Sequence, residues 1–409
     1  MSTPAADAQP NPSSDPPPSD AGAPPADLTP EQRAVNEVSN QLTAGVMNAG
    51  GGKKRKHDTN DDEDADVMAS YKEYGRAYLR LGDPFTPIDD IVQHGIFIET
   101  TEEIDYPKMT LKERQVFDHK TASWEVLWRL IGPSFRNHMI LLKKHKKLRH
   151  RVCAQIALGV SGSRGEDANT LKKCVLEYLN ADTAVAVDPP ISKTSKAERG
   201  YNHSVTAKLL CPAKKPPTDA TYEAIANGTI KVTGRSFFRF YYPDNWVYDG
   251  KNLMDNLFEG HLMIRTAKCL LQGPSQALKP PGAHRGNRGN AAKIGARTVT
   301  PRLMAYIGVQ TFFSISSLEG WQQTDGNFDY EQFYWTIVSL LEDEDNAHIL
   351  QKFNHHVFGD ASGRPAAPAP TAQDADDDDD DDLEAYRAAK KARLAQPPSQ
   401  SEPPSGVAA

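Results

Sequence analysis

The sequence predicts a mainly α fold, a single irregular multi-helix domain with little or no strand, flanked by disordered N- and C-terminal tails. Three observations carry this. Nearly all of the Trp, Tyr and Phe fall between Tyr71 and Phe358. Within that stretch, apolar residues recur at helical spacing behind capping signals. Residues 1–66 and 359–409 are instead rich in Pro, Ala, Ser, Asp and Gly, so they bury too little apolar surface to offset the entropy of ordering. The expected organisation is a tail over 1–66, a helical core domain over 67–358 and an acidic tail over 359–409. A core of this length is near the upper size for one hydrophobic interior, read as one domain, with room for two lobes.

The N-terminal tail holds one ordered-looking element, a short helix over 30–47. Thr29-Pro30-Glu31-Gln32 forms a capping box, Val35, Val38, Leu42 and Val46 follow at helical spacing, and Gly50-Gly51-Gly52 ends it. It reads as a satellite helix, a partner-binding helix or a transient helix with no role. The core opens with a helix over Val67 to Leu81, striped by Tyr71, Tyr74, Tyr78 and Leu81 and stopped by Gly82-Asp83-Pro84. A short helix is expected over Ile88–His94, with Gly95 just past its end. Thr110-Leu111-Lys112-Glu113 starts another, on which Trp124, Leu127, Trp128 and Ile131 share a face. A longer helix runs from Phe135 to Leu158. Gly159, Gly162 and Gly165 are expected to break the chain, and Asp167 to cap a helix reaching Leu179.

Residues 182–250 look irregular, with short helices at Ser204–Leu210 and Asp219–Asn227 and a brief strand within 230–241. A helix is expected over Lys251 to Leu271, with Leu257, His261, Ile264, Lys268 and Leu271 in line. Thr300-Pro301 opens a helix to Ser316 with Met304, Ile307 and Thr311 along one side. Phe328–Leu341 and Glu344–Phe358 read as the last two helices.

Charge is unevenly distributed. Residues 1–66 carry 12 acidic and 5 basic side chains, and residues 359–409 carry 11 and 5. With 47 Lys and Arg against 54 Asp and Glu overall, residues 67–358 hold 37 basic and 31 acidic groups. A basic core between acidic arms can attract nucleic acid or another anionic partner, and the arms can compete for the same surface. Cys153, Cys174, Cys211 and Cys269 form no C-x-x-C pair, so no disulfide framework is expected. No signal peptide and no apolar run of membrane-spanning length is seen, which implies an intracellular chain with no membrane partner.

Five segments carry candidate chemistry. Lys53, Lys54, Arg55 and Lys56, together with Lys390, Lys391 and Arg393 after the run Asp376 to Asp382, resemble import signals read by an importin-type receptor. The alternative is a pair of solvated charge clusters. Lys143, Lys144, Lys146, Lys147, Arg149 and Arg151 lie in a predicted helix whose buried stripe is Leu141, Leu148, Val152 and Ile156. Such a cationic surface suits phosphate neutralisation, although a charged helix face is usually only solvated. The glycine-spaced stretch Gly159–Asp167 could cradle a phosphate, but lacks the G-K-[ST] ending and reads better as a helix–helix turn. Arg199-Gly200-Tyr201-Asn202-His203 gathers polar groups ahead of Cys211, and a base–thiol pair of His203 and Cys211 is less favoured than a structural loop. Arg285 and Arg288, in a Gly/Asn loop, join the polyanion-binding candidates. No metal site is read at His355-His356, and no cofactor is implied.

Several of these segments resemble an uncharacterised domain family expanded in mushroom-forming basidiomycete fungi. The resemblance rests on Gly162-Ser163-Arg164-Gly165-Glu166-Asp167, Arg199-Gly200-Tyr201-Asn202-His203, Leu210-Cys211-Pro212, Gly289-Asn290-Ala291, Ile294-Gly295, Val299-Thr300-Pro301 and Phe333-Tyr334. It covers residues 85 to 358 and implies domain limits and a fungal origin, with no activity attached.

Together these readings favour a non-enzymatic nuclear protein that binds nucleic acid or chromatin-associated partners through its basic helical core. An enzyme of unfamiliar type is the rival, with a polar cleft around Arg164, Arg199, His203 and Arg288, Asp167 and Asn202 beside them. A protein–protein scaffold is the third reading.

Overall fold

The computed structural model describes residues 61–101, 104–132, 141–282 and 289–364. The helix over 30–47, both import-like clusters, Arg285 and Arg288 lie outside these residues. The described chain is mainly α, with a single two-stranded ribbon.

Four helices build the first half: α1 (Asp61–Leu81), α2 (Ile88–Thr100), α3 (Leu111–Ile131) and α4 (Lys146–Cys174). α3 begins at the expected capping box: Thr110 Oγ1 accepts from the Glu113 amide, and the Glu113 carboxylate accepts from the Thr110 amide at 2.8 Å. Tyr78, Val92, Trp124, Leu127 and Ile156 form the centre of a first apolar core between these helices.

α1 and α4 pack along much of their length, and glycine sets how closely. A Cβ on Gly75 would meet the Ile156 carbonyl oxygen at 2.0 Å, and one on Gly159 would meet that of Lys72 at 2.0 Å. Backbone lies against backbone at this crossing. This overturns the expected breaks at Gly159, Gly162 and Gly165, because α4 runs through all three without interruption. The stretch is neither a turn nor a phosphate cradle, and Asp167 caps nothing, lying inside the helix. Gly95 is likewise internal, since α2 continues to Thr100 and a Cβ there would meet the Trp124 ring at 2.1 Å. The expected continuous helix up to Leu158 is in turn interrupted at His145. That residue sits in a run of like charges, where i,i+4 neighbours repel one another.

The second half adds α5 (Ser204–Leu210), α6 (Asp219–Ala226), α7 (His261–Gln272), α8 (Asn290–Lys293), α9 (Pro301–Ile315), α10 (Tyr330–Leu341) and α11 (Ala347–Phe358). α9 starts as expected, with the Thr300 hydroxyl accepting from the Leu303 amide and Pro301 in the first position. Every residue from Arg302 to Ile315 is buried, so α9 is enclosed on all sides and not only along the Met304–Ile307–Thr311 side. Around it Leu171, Leu262, Phe238, Phe333 and Phe353 belong to a second, larger core. The helix expected from Lys251 begins only at His261. Asn256 and Phe258 have φ of 58° and 63°, and Gly260 is pressed against the Phe240 carbonyl oxygen, where a Cβ would sit 2.2 Å away. The strand expected within 230–241 is reduced to one bridge, Pro212 with Phe238. The described ribbon pairs β1 (Thr324–Asp325) with β2 (Phe328–Asp329) across a turn at Gly326. No described helix is long and apolar enough to cross a membrane.

The crossing gives a direct test. Gly159→Ala should cost about 1–3 kcal/mol of unfolding free energy through overpacking. Gly162→Ala, with open space around its Cβ, should instead stabilise by up to about 1 kcal/mol from helix propensity. Urea titration of the two variants checks both signs.

Candidate polyanion-binding surface

The basic segment occupies the start of α4 and the residues just before it. Leu141, Leu148, Val152 and Ile156 are buried, as the stripe requires, and Lys143, Lys144, Lys146 and Lys147 are exposed. Local forces do not favour this arrangement. A helix N-terminus carries a partial positive charge and free amide groups, so acids belong there and cations are disfavoured. α4 has no acid in its first turn, and His145 supplies no side-chain cap. Two side chains further along approach α2: Arg149 Nε and His150 Nδ1 lie 3.3 and 3.5 Å from the Asp89 carboxylate. Lys143 Nζ donates to Thr100 Oγ1 at 3.0 Å. Lys144 and Arg151 also have partners within the fold. Among the described residues, Lys146 and Lys147 have neither an ion pair nor a hydrogen bond from their side chains.

The polar-cleft candidates are placed differently. Arg199 is 0% exposed, and its guanidinium donates to the carbonyls of Ser314 and Lys172 at 2.7 Å and of Ser192 at 3.2 Å. Arg164 donates to the Pro84 carbonyl and lies over the Trp321 ring, 4.9 Å from its centroid. His203 caps α5 by accepting from the Val205 amide at Nδ1, and its Nε2 sits 2.8 Å from the Pro189 carbonyl. Exposed Asn202 donates to the Ala197 carbonyl at 2.8 Å. Asp167 accepts from Arg80 at 2.6 and 3.0 Å and from the Tyr306 hydroxyl at 2.7 Å. The side chains of these five share no hydrogen-bond partner, and Arg199 and His203 are too buried to line a cleft. His203 and Cys211 stand at opposite ends of α5, about 12 Å apart at the helical rise per residue. Burial also pushes the Cys211 thiol up, away from the thiolate form.

Sequence reasoning missed a charged knot below this region. Glu319 accepts from Lys172 Nζ and Ser195 Oγ at 2.8 Å and from the Lys196 amide, which together hold its carboxyl down at about 2. Lys196 is 1% exposed, donates to the Leu318 carbonyl and lies 3.4 Å from the Phe313 ring centroid. Burial first, and the Arg199 charge second, lower its ammonium to about 7. Nothing in the local sequence marks this lysine, because its partners come from more than a hundred residues away.

Residues 158–358 match DUF6698, a family of unknown function. No curated protein and no solved structure matches the chain.

Lys196 makes a pH prediction. Its folded value of about 7 lies below its ordinary 10.5, so the unfolded chain binds more protons between these limits. The stabilisation is full above about 10.5 and is lost as pH falls through about 7. Lys196→Met should flatten the rise of the urea midpoint between pH 7 and pH 10 relative to the parent.

Proposed function

The chain carries a domain of that family of unknown function, which brings no activity with it, and we propose that it is a non-enzymatic nuclear protein that binds nucleic acid through the N-terminal end of α4. The observation that carries this reading is the uncompensated charge of that end: exposed Lys146 and Lys147, with no acid in the first turn and no side-chain cap. A phosphate backbone would neutralise these cations while releasing counterions. Lys143 and Lys144 widen the same exposed patch. The reading is one of backbone binding, since no element with a base-reading pattern accompanies the patch.

Full-length chain titrated with labelled DNA and RNA in fluorescence anisotropy should show binding that weakens steeply with salt. Lys146→Glu/Lys147→Glu should reduce affinity by at least about tenfold at low salt and flatten the logarithmic salt slope by about 2, near one unit per lost phosphate contact. Unchanged binding in that variant would remove α4 from the interface.

The nuclear address rests on Lys53, Lys54, Arg55 and Lys56 and on Lys390, Lys391 and Arg393. Reversing the charge of both clusters should move a fluorescently tagged chain from nucleus to cytoplasm, and a cytosolic parent protein would defeat the assignment. The resemblance to a basidiomycete family supports doing this in fungal cells.

A further inference from the structure

We infer that the groove between α3 and the segment 293–302 is the docking site of the chain's own acidic run, Asp376 to Asp382. Two cavities of about 570 and 670 Å³ adjoin here across Arg129, Leu130, Ile294 and Gly295. The inference does not depend on nucleic-acid binding by α4.

Charge is the first ground. On the α1 side of the groove three acids face two arginines: Arg76 holds Glu166 at 2.6 Å and lies 3.5 Å from Glu73, and Arg80 holds Asp167. Arg302 is turned inward, donating to Ser123 Oγ at 2.9 Å and lying over the Trp335 ring. The outer rim is different. Lys293 and Arg297 are exposed, and no ion pair or side-chain hydrogen bond engages either. Arg129 uses only Nε, on the Glu125 carbonyl. Facing these three are the exposed carboxylates of Glu125 and Glu342. The outer rim therefore holds three cations against two carboxylates, and among the described residues none of the three cations is engaged in an ion pair.

The second ground is where the chain leaves the described fold. The Arg364 amide donates to the Arg297 carbonyl at 2.7 Å, and Gly363 packs on the same carbonyl. Asn354 fastens this exit on both sides, accepting from the Val299 amide at 2.8 Å and donating to the Ala361 carbonyl. The C-terminal segment thus departs from the cationic rim itself. Asp376 follows Arg364 by twelve residues, a reach of up to about 40 Å, and the intervening Pro/Ala-rich stretch is long enough to turn back. At that tether length the local concentration of the acidic run is on the order of millimolar, so even weak ion pairing fills the groove. Seven adjacent aspartates repel one another, and an array of cations is what relieves them.

Zero-length carbodiimide coupling of the full-length chain tests this, because it joins a carboxylate only to an amine in contact with it. Lys293 is the one lysine of the groove lining. Peptide mass spectrometry should find Lys293 joined to Asp376–Asp382 within one chain. Yield should fall at least tenfold in Arg129→Glu/Arg297→Glu, which keeps Lys293 and alters only exposed side chains; unchanged thermal unfolding verifies its fold. The run joined to Lys143–Lys147 instead, or to Lys293 of a differently labelled second copy, or to no lysine, overturns the inference.

Discussion

The buried ion pair of Arg80 and Asp167 sets the register of the fold. Each residue is 5% exposed. Arg80 comes from α1, Asp167 from the C-terminal part of α4, and the Tyr306 hydroxyl from the enclosed helix α9 completes the site, with Gln310 donating to Tyr306 at 3.1 Å. Burying two charges costs several kcal/mol per ion, which only good geometry and further hydrogen bonds offset. The bidentate contact and the tyrosine supply both. Removing one partner would leave the other charged and unpaired, a loss of about 3–5 kcal/mol. The close approach allowed by Gly75 and Gly159 makes this contact possible, since it holds α1 and α4 backbone to backbone a few turns away.

That pair also joins two regions of different standing. The family match starts at Leu158, halfway along α4, and takes in Asp167 and Tyr306 but not Arg80. The apolar core made by α1, α2, α3 and the first turns of α4 lies before the match, and the larger core around α9 lies almost wholly inside it. A single continuous helix therefore serves both cores. The N-terminal helices are built onto the family domain through shared packing and through one buried charge pair. The basic end of α4 belongs to this N-terminal part, so the proposed nucleic-acid surface lies outside the stretch the family defines.

How much was legible follows from how local each signal was. The capping box at Thr110 and the Thr300-Pro301 cap act within four residues, and both helices begin where the sequence says. The same holds for α5, whose bounds match the expected Ser204–Leu210. Glycine misled, because its local and tertiary meanings conflict. Gly95 and Gly159 look like breaks, yet both sit inside helices to clear a ring and a backbone. The Lys251–Leu271 stripe was periodic, but Gly260 needs close contact with Phe240 and the chain turns there. One signal was overlooked: Asp325-Gly326, a turn pair that marks the small ribbon. Among functional candidates, the run Lys143–Arg151 was legible because it is contiguous. Arg129, Lys293 and Arg297 come together only through folding, and no spacing in the sequence announces them.

The distribution of cations also shows why net charge alone is a poor guide to binding. Several of the core's arginines face inward and hold backbone carbonyls. Arg199 gathers three, and Arg265 gathers those of Tyr178, Asn180 and Ala181 just beyond the end of α4. A planar guanidinium with five donors suits this work, and placing it past a helix C-terminus also answers the helix dipole. Lysines, with a compact and strongly hydrated charge, mostly stay outside; Lys196 and Lys268 are buried, and burial lowers both ammonium groups. The positive excess of residues 67–358 is therefore only partly available to a partner. Among the accessible cations are those at the start of α4 and those along the groove rim, two surfaces supplied by different parts of the chain. If the proposed docking holds, an acidic run tethered at the rim meets one of them first, and substitution at each surface then separates the two proposed roles.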